Sequence, residues 1–235
     1  MNNFSVVILA AGKGTRMKSS VQKVLHTIFG KSMISHIVEV VQGLSPDKIL
    51  VVVGHQKEAV KKNLTGNNVE FVEQLKPLGT GDAVKQTKKI LKDYPGNVLI
   101  LCGDTPLLQV KTLKSLLKLH RQKQAAATIL TALLKNPFGY GRIKRNGTGT
   151  VEAIVEEADA RTDSAPKLFR SLSLVKPNNV KGEYYLTDAI RILRDDGERI
   201  AACLAREPEE VMGVNTPADL KIARQILTAK GEKNE

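Results

Sequence analysis

The chain has no tryptophan, two cysteines (Cys102 and Cys203), and aromatic side chains at only 4% of its 235 positions. Two thiols cannot make a disulfide framework or a four-cysteine zinc site. The four histidines, His26, His36, His55 and His120, stand at no spacing used by metal ligands and read as structural or surface residues. No apolar run is long enough to span a bilayer, so no membrane partner is expected. No basic segment precedes the apolar stretch 4–11, as a secretory leader requires, and a reducing, cytoplasmic setting is the expectation. Repeats and low-complexity linkers are also missing, which excludes solenoids and tethered modules. What remains, 42% hydrophobic and 26% charged, is the balance of an ordinary globular chain.

Acidic residues are in short supply: 36 Lys and Arg against 24 Asp and Glu leave a net charge of +12. Such an excess invites a nucleic-acid reading. The excess is spread, however, with +7 on residues 1–100 and +5 on the rest, and it forms no dense block. A reader of single strands needs aromatic faces between its cations, and they are lacking. No nucleic-acid partner is expected. A solvated basic surface, with a few cations reserved for a phosphorylated small molecule, fits the same numbers.

Strand and helix signals alternate through the first 130 residues. FSVVILA (4–10) is a continuous apolar run of the kind buried on both faces of a sheet. Further strands are predicted at 49–53, 69–73, 98–102 and 125–134. Helices are predicted at 32–41, 56–64, 81–91 and 113–119. This alternation implies βαβ units and a mostly parallel sheet. After Pro137 the pattern changes, with short strands predicted at 141–144, 151–155 and 168–175, a helix from about Leu186, and a last helix at 217–227 with proline in its first turn. One α/β domain over 1–229 and a polar tail at 230–235 are expected.

Ligands of an open parallel sheet bind beyond the carboxyl ends of its strands, and three segments stand there. The first strand feeds AAGKGTRM (10–17), whose glycines let free N–H groups approach phosphate oxygens while Lys13, Arg16 and the nearby Lys23 add positive charge. Arg16 and Met17 stand where a dinucleotide fingerprint needs its third glycine, and the Walker ending Gly-Lys-Ser/Thr is missing. A plain glycine-rich turn remains open. The second segment, QLKPLGTG (74–81), combines backbone donors with the Gln74 amide, which can read the polar edge of a base; it also reads as a simple turn into a helix. The third, LCGD (101–104), sets Asp104 at a strand tip, where a carboxylate either holds Mg²⁺ beside phosphates or caps a turn. Cys102 reads as strand packing rather than as a nucleophile.

Taken in order, the chain resembles the sugar-nucleotidyltransferase family, and most of all its uridylyltransferase (pyrophosphorylase) branch. The matching stretches are VVILAAGKGTRM (6–17), KVLHTIFGKSM (23–33), PLGTGDA (77–83), LCGDTPLL (101–108), GYGRI (139–143), IVEEADA (154–160), GEYYLTDAI (182–190) and GVNTPADL (213–220). The resemblance implies a Rossmann-like, mostly parallel sheet flanked by helices, the nucleotide-diphospho-sugar transferase (GT-A-like) fold. Its nucleotide-binding part would cover about 1–110 and its sugar-binding part about 111–229. The implied activity joins UTP to N-acetylglucosamine-1-phosphate, releasing pyrophosphate.

The resemblance also implies roles for single residues. Gly12, Gly14 and Arg16 would lie over the UTP phosphates, with the Ala11–Gly12 backbone near uracil. Lys23 would contact phosphate and, with Arg16, act catalytically. Gln74, Gly79 and Thr80 would meet the nucleoside, and Gly141, Glu156 and Thr187 would line the sugar pocket. Asp104 and Asn215 would hold Mg²⁺. Without the family, nothing in GVNTP (213–217) points to a metal ligand.

The chain departs from that family at several places. Gln22 replaces a usual proline, Pro77 a glutamine and Asp82 a common histidine. Between Glu156 and Gly182 the connection is shorter and lacks the Asn-Thr-Gly element whose asparagine contacts the sugar; Asn178 and Asn179 are nearby without being its equivalents. Two alternatives therefore stay open: transfer to another sugar-1-phosphate such as glucose-1-phosphate, or a nucleotide-binding module without turnover. No hexapeptide repeats of an acetyltransferase β-helix are found in these residues.

Overall fold

The computed structural model describes residues 3–135, 140–147, 151–155, 161–179 and 181–231. Its strands are β1 (Phe4–Ala10), β2 (Thr27–Ile28), β3 (Lys31–Ser32), β4 (Ile49–Val53), β5 (Glu70–Glu73), β6 (Asn97–Cys102), β7 (Ala127–Thr131), β8 (Arg142–Arg145), β9 (Val151–Val155), β10 (Arg161–Ser164) and β11 (Ile200–Leu204). Its helices are α1 (Met33–Gln42), α2 (Lys57–Asn63), α3 (Thr80–Gln86), α4 (Lys88–Leu91), α5 (Val110–Lys123), α6 (Ala165–Leu174), α7 (Asp188–Asp195) and α8 (Pro217–Gly231). Seven strands form one sheet in the order β11-β7-β10-β6-β1-β4-β5. The expected mostly parallel sheet is observed: only β10 runs antiparallel to its neighbours.

Continuous apolar runs make the central strands because both faces are covered. One face, with Val6, Ile8, Val51, Leu99 and Leu101, packs on Ile34, Ile37, Val38 and Val41 of α1 and on Leu113 and Leu116 of α5. The other, with Val7, Leu50, Val52, Val98 and Ile100, packs on Val84, Leu168, Leu172, Leu186 and Ala189. Successive strand residues thus feed opposite cores. Helix α1 starts where Ser32 Oγ accepts the Ser35 N–H at 3.2 Å. At the start of α5 the buried Glu210 carboxylate accepts the Gln109 N–H at 3.1 Å and the Thr112 hydroxyl at 2.8 Å.

Several sequence expectations need correction. Residues 168–175, predicted as a strand, fall mostly in α6: Leu168, Phe169, Leu172 and Val175 are buried at helical spacing, while Leu174 is 52% exposed. The helix predicted at 81–91 is split at Thr87, whose buried hydroxyl donates back to the Val84 carbonyl at 2.7 Å. The long strand predicted at 125–134 is limited to Ala127–Thr131, the residues that pair with β11. Neither β10 nor β11 was readable in advance, since RTDS and IAACL carry weak strand signals. No helix among the described residues is long and apolar enough to cross a membrane.

Candidate active site

The carboxyl ends of β1, β4 and β6 lie side by side, because β1 pairs in parallel with both neighbours. From β1 the chain enters a tight loop. Gly14 there has φ 62°, and a Cβ on it would overlap the Cβ of Lys23. Glycine is required at this position on both counts. The loop then forms a single 3-10 turn, Thr15–Met17, and a second such turn carries Lys23–Leu25.

Four predicted residues from distant parts of the chain meet at this point. The Lys23 ammonium forms an ion pair with the Asp104 carboxylate and donates to Asn215 Oδ1 at 3.0 Å. Arg16 donates to the same Asn215 oxygen at 2.8 Å. The Val214 N–H donates to the Asp104 carbonyl at 2.8 Å, which ties the two oxygen-bearing loops together. Asn215 is held in turn: the Asp219 carboxylate accepts the Asn215 and Thr216 N–H groups at 3.0 and 2.8 Å, and Thr216 Oγ1 accepts the Asp219 N–H at 3.2 Å. This is a capping arrangement at the start of α8.

The fit of this site to magnesium follows from the donor set. One carboxylate and one amide oxygen, both hard ligands, converge on a single cation, here the ammonium of Lys23. A magnesium ion bound by one or two protein oxygens plus substrate phosphates needs such a pair. Asp104 and Asn215 therefore fit the group, and Lys23 is the side chain that would share their charge with it.

Of the residues expected on the nucleoside side, Ala11 and Gln74 line a cavity of about 360 Å³, together with Lys13, Gly54, Lys57 and Glu73, whereas Gly79 and Thr80 do not border it. Gln74 is 7% exposed and donates its Nε2 to the Gly79 carbonyl at 3.1 Å and to the Asp82 carboxylate at 2.8 Å. The Glu73 carboxyl is held down to about 2 by hydrogen bonds from Lys57 and Lys61, so it stays ionised beside the cavity. Gly79 has φ 107°, and a Cβ there would lie 2.6 Å from the Tyr184 carbonyl oxygen. Its glycine therefore serves the docking of the 182–187 segment. Thr80 serves it too, since its hydroxyl accepts the Leu186 N–H at 3.0 Å.

The predicted sugar residues are not gathered in one place. Gly141 borders a cavity of about 480 Å³ with Thr131, Tyr140 and Arg142. Thr187 borders a different one of about 270 Å³ with Asn178, Asn179, Tyr185 and Arg191. Glu156 lies outside the described residues. The Asn179 side chain is consumed locally: Nδ2 donates to the Glu183 carbonyl at 2.5 Å, and Oδ1 accepts the Lys181 and Glu183 N–H groups at 3.1 and 3.2 Å.

Sequence reasoning missed what Gln22 does. Its side chain is 1% exposed; Nε2 donates to the carbonyls of Ala10 and Gly12 at 3.0 and 3.2 Å, and Oε1 accepts the Val24 N–H at 2.6 Å. It thus joins the glycine loop after β1 to the turn carrying Lys23. Its φ of −57° lies in proline's range, but its N–H donates to Gln56 Oε1 at 3.0 Å, a bond that a proline would lose. No sequence signal announces these bonds. The Thr216-x-x-Asp219 cap, in contrast, was open to inspection.

A parallel sheet with a glycine loop, two cations and two hard oxygen ligands at its carboxyl edge defines a nucleotidyltransferase of the nucleotide-diphospho-sugar transferase fold. Solved structures agree on the fold. A nucleotidyl transferase from Methanothermobacter superposes with a TM-score of 0.73 at 22% identity, over 98% of this chain and 100% of that one. A UDP-glucose pyrophosphorylase complexed with UDP-glucose superposes at 0.76 and 18% identity, over 97% and 99%. The profile of the MobA-like NTP transferase domain matches residues 6–163, and the chain belongs to that family. It is also 46% identical over 237 residues to the bifunctional protein GlmU of Pediococcus pentosaceus, covering 95% of this chain and 50% of that protein. The chain spans about half the length of the curated relatives it matches.

Proposed function

We propose that the protein transfers a uridylyl group from UTP to N-acetylglucosamine-1-phosphate, giving UDP-N-acetylglucosamine and pyrophosphate. The observation that carries this reading is the meeting of Lys23, Arg16, Asp104 and Asn215 at the carboxyl edge of β1 and β6. Similarity to GlmU over nearly the whole chain supports it. The nucleotide-binding part would cover about 1–110 and the sugar-binding part about 111–229.

The chemistry asks little of acid–base groups. An anionic oxygen of the sugar-1-phosphate attacks the α-phosphorus of UTP; that O–P bond forms as the bond from the α-phosphorus to the bridging oxygen breaks. Pyrophosphate leaves with the electron pair, and no proton has to be removed from the nucleophile. Catalysis then rests on positioning and on neutralising charge. Lys23 and Arg16 supply positive charge at the phosphates, while the Gly12 and Gly14 backbone leaves room for them. Mg²⁺ held by Asp104 and Asn215 would add charge neutralisation on the phosphate oxygens. Ala11, Gln74, Gly79 and Thr80 would form the nucleoside side of the site. Gly141, Glu156 and Thr187 would form the sugar side.

A second acceptor sugar is the competing reading. It is favoured by the local engagement of Asn179, which leaves that side chain unable to replace the missing sugar-contacting asparagine. Pyrophosphate release from UTP and Mg²⁺ across a panel of sugar-1-phosphates decides between them. Release with N-acetylglucosamine-1-phosphate alone is expected. Release with glucose-1-phosphate alone would replace the acceptor, and UTP binding without release would remove the enzyme reading.

A further inference from the structure

A glutamine amide is nearly symmetric in shape, and its two ends carry opposite hydrogen-bonding character. If it is free to turn over, it accepts from an N–H of a base as readily as it donates to a ring nitrogen. Uracil presents an N–H at ring position 3, whereas cytosine presents a bare nitrogen there. A reader of this edge discriminates between the two only if something decides which end of the amide faces the base.

At Gln74 that decision is made by acceptors that cannot donate. Both contacts of its Nε2, the Gly79 carbonyl at 3.1 Å and the Asp82 carboxylate at 2.8 Å, are to oxygens. Turning the amide over would bring Oε1 against those two oxygens, one of them charged. Asp82 is itself steadied from one helical turn further on, where Gln86 Nε2 donates to its other oxygen at 3.2 Å. It also lies in the first turn of α3, where a negative charge is favoured. Lys85, the cation next to Asp82, has its ammonium 4.5 Å from the Tyr184 ring centroid. With its N–H groups engaged, Gln74 keeps Oε1 as the end that takes up no hydrogen bond among the described residues, and the residue lines the cavity shared with Ala11.

We propose that Asp82 is a positioning residue: its carboxylate fixes the Gln74 amide with Oε1 as acceptor, and so selects a pyrimidine nucleotide with an N–H at ring position 3. The proposal rests on the reading that this cavity receives the base of UTP. An ionised carboxylate can only accept, so it leaves the Gln74 amide one orientation.

The test is calorimetric titration of the full chain, and of its Asp82→Asn and Asp82→Leu variants, with UTP and with CTP in the presence of Mg²⁺. The wild-type protein is expected to prefer UTP. Asparagine can offer Gln74 either end of its own amide, so the UTP-to-CTP affinity ratio should fall about threefold; leucine leaves only the neutral Gly79 carbonyl to hold the amide, and the ratio should fall about tenfold. A purely structural role for Asp82 would weaken both nucleotides together and leave the ratio unmoved. An unchanged ratio in both variants overturns the proposal alone. A wild-type protein without preference for UTP overturns it together with the base reading beneath it. Should the leucine variant fail to fold, the threefold step in the asparagine variant decides.

Discussion

The side chain of Gln22 offers the most direct link between a buried polar group and the site. Gln22→Met keeps nearly the same length and shape but removes three hydrogen bonds, to the carbonyls of Ala10 and Gly12 and from the Val24 N–H. Each is worth about 1 kcal/mol net, and more where the partner is left buried without a replacement. A loss of about 3 kcal/mol follows. For a domain of this size that lowers Tm by about 6–12 °C. Thermal unfolding followed by circular dichroism or calorimetry reads the change. Because the same bonds join the glycine loop to the turn bearing Lys23, UTP binding should weaken in the folded variant as well. A fall in Tm below about 2 °C, with UTP affinity unchanged, would refute the view that Gln22 holds this loop.

The remaining predictions concern charge, protonation and backbone. Lys23→Ala and Asp104→Ala should each lower pyrophosphate release by about 10²- to 10³-fold, the scale of removing one charge-stabilising group, with an unchanged far-UV spectrum; near-normal rates in either variant would remove the mechanism. His120 is buried between Thr128 and Asn97, and burial pushes its pKa down to about 4, so it is neutral in the fold. Between about pH 6.5 and 4 the unfolded chain binds a proton that the native His120 refuses, so stability falls as pH falls, by at most about 1.4 kcal/mol per pH unit from this group. Denaturant titrations at pH 7, 6 and 5 should show a shallower dependence in His120→Gln, and identical slopes would contradict the assignment. Gly79→Ala sets a Cβ 2.6 Å from the Tyr184 carbonyl oxygen at a φ of 107°; a loss of about 2 kcal/mol in a denaturant titration is expected.

How far the sequence revealed these features depended on how locally each one is encoded. The strands at 4–10, 49–53 and 98–102 were readable because a buried parallel strand is written as one apolar run. Lys23 and Asp104 were readable as candidates because of where they follow those strands. Asn215 was not: its partners Arg16 and Lys23 lie 199 and 192 residues away, and only the family resemblance singled it out. Asp82 stands out in the sequence only as a departure from the family, because its meeting with the Gln74 amide eight residues earlier depends on how the intervening turn folds. At α6 the segment 168–175 was expected as a strand, and packing of Leu168, Phe169 and Leu172 on one face makes it a helix instead. The sugar side was read least, since Gly141 and Thr187 border separate cavities.

The central claim is that this site joins UTP to N-acetylglucosamine-1-phosphate. Phosphorus NMR of the purified chain with both substrates and Mg²⁺ tests it directly, because every product signal is resolved in one sample. The account predicts that UDP-N-acetylglucosamine and pyrophosphate grow together in equal amounts while UTP declines, and that Lys23→Ala nearly abolishes both signals. Unconsumed UTP in the wild-type sample, or consumption that yields no UDP-sugar, would contradict it.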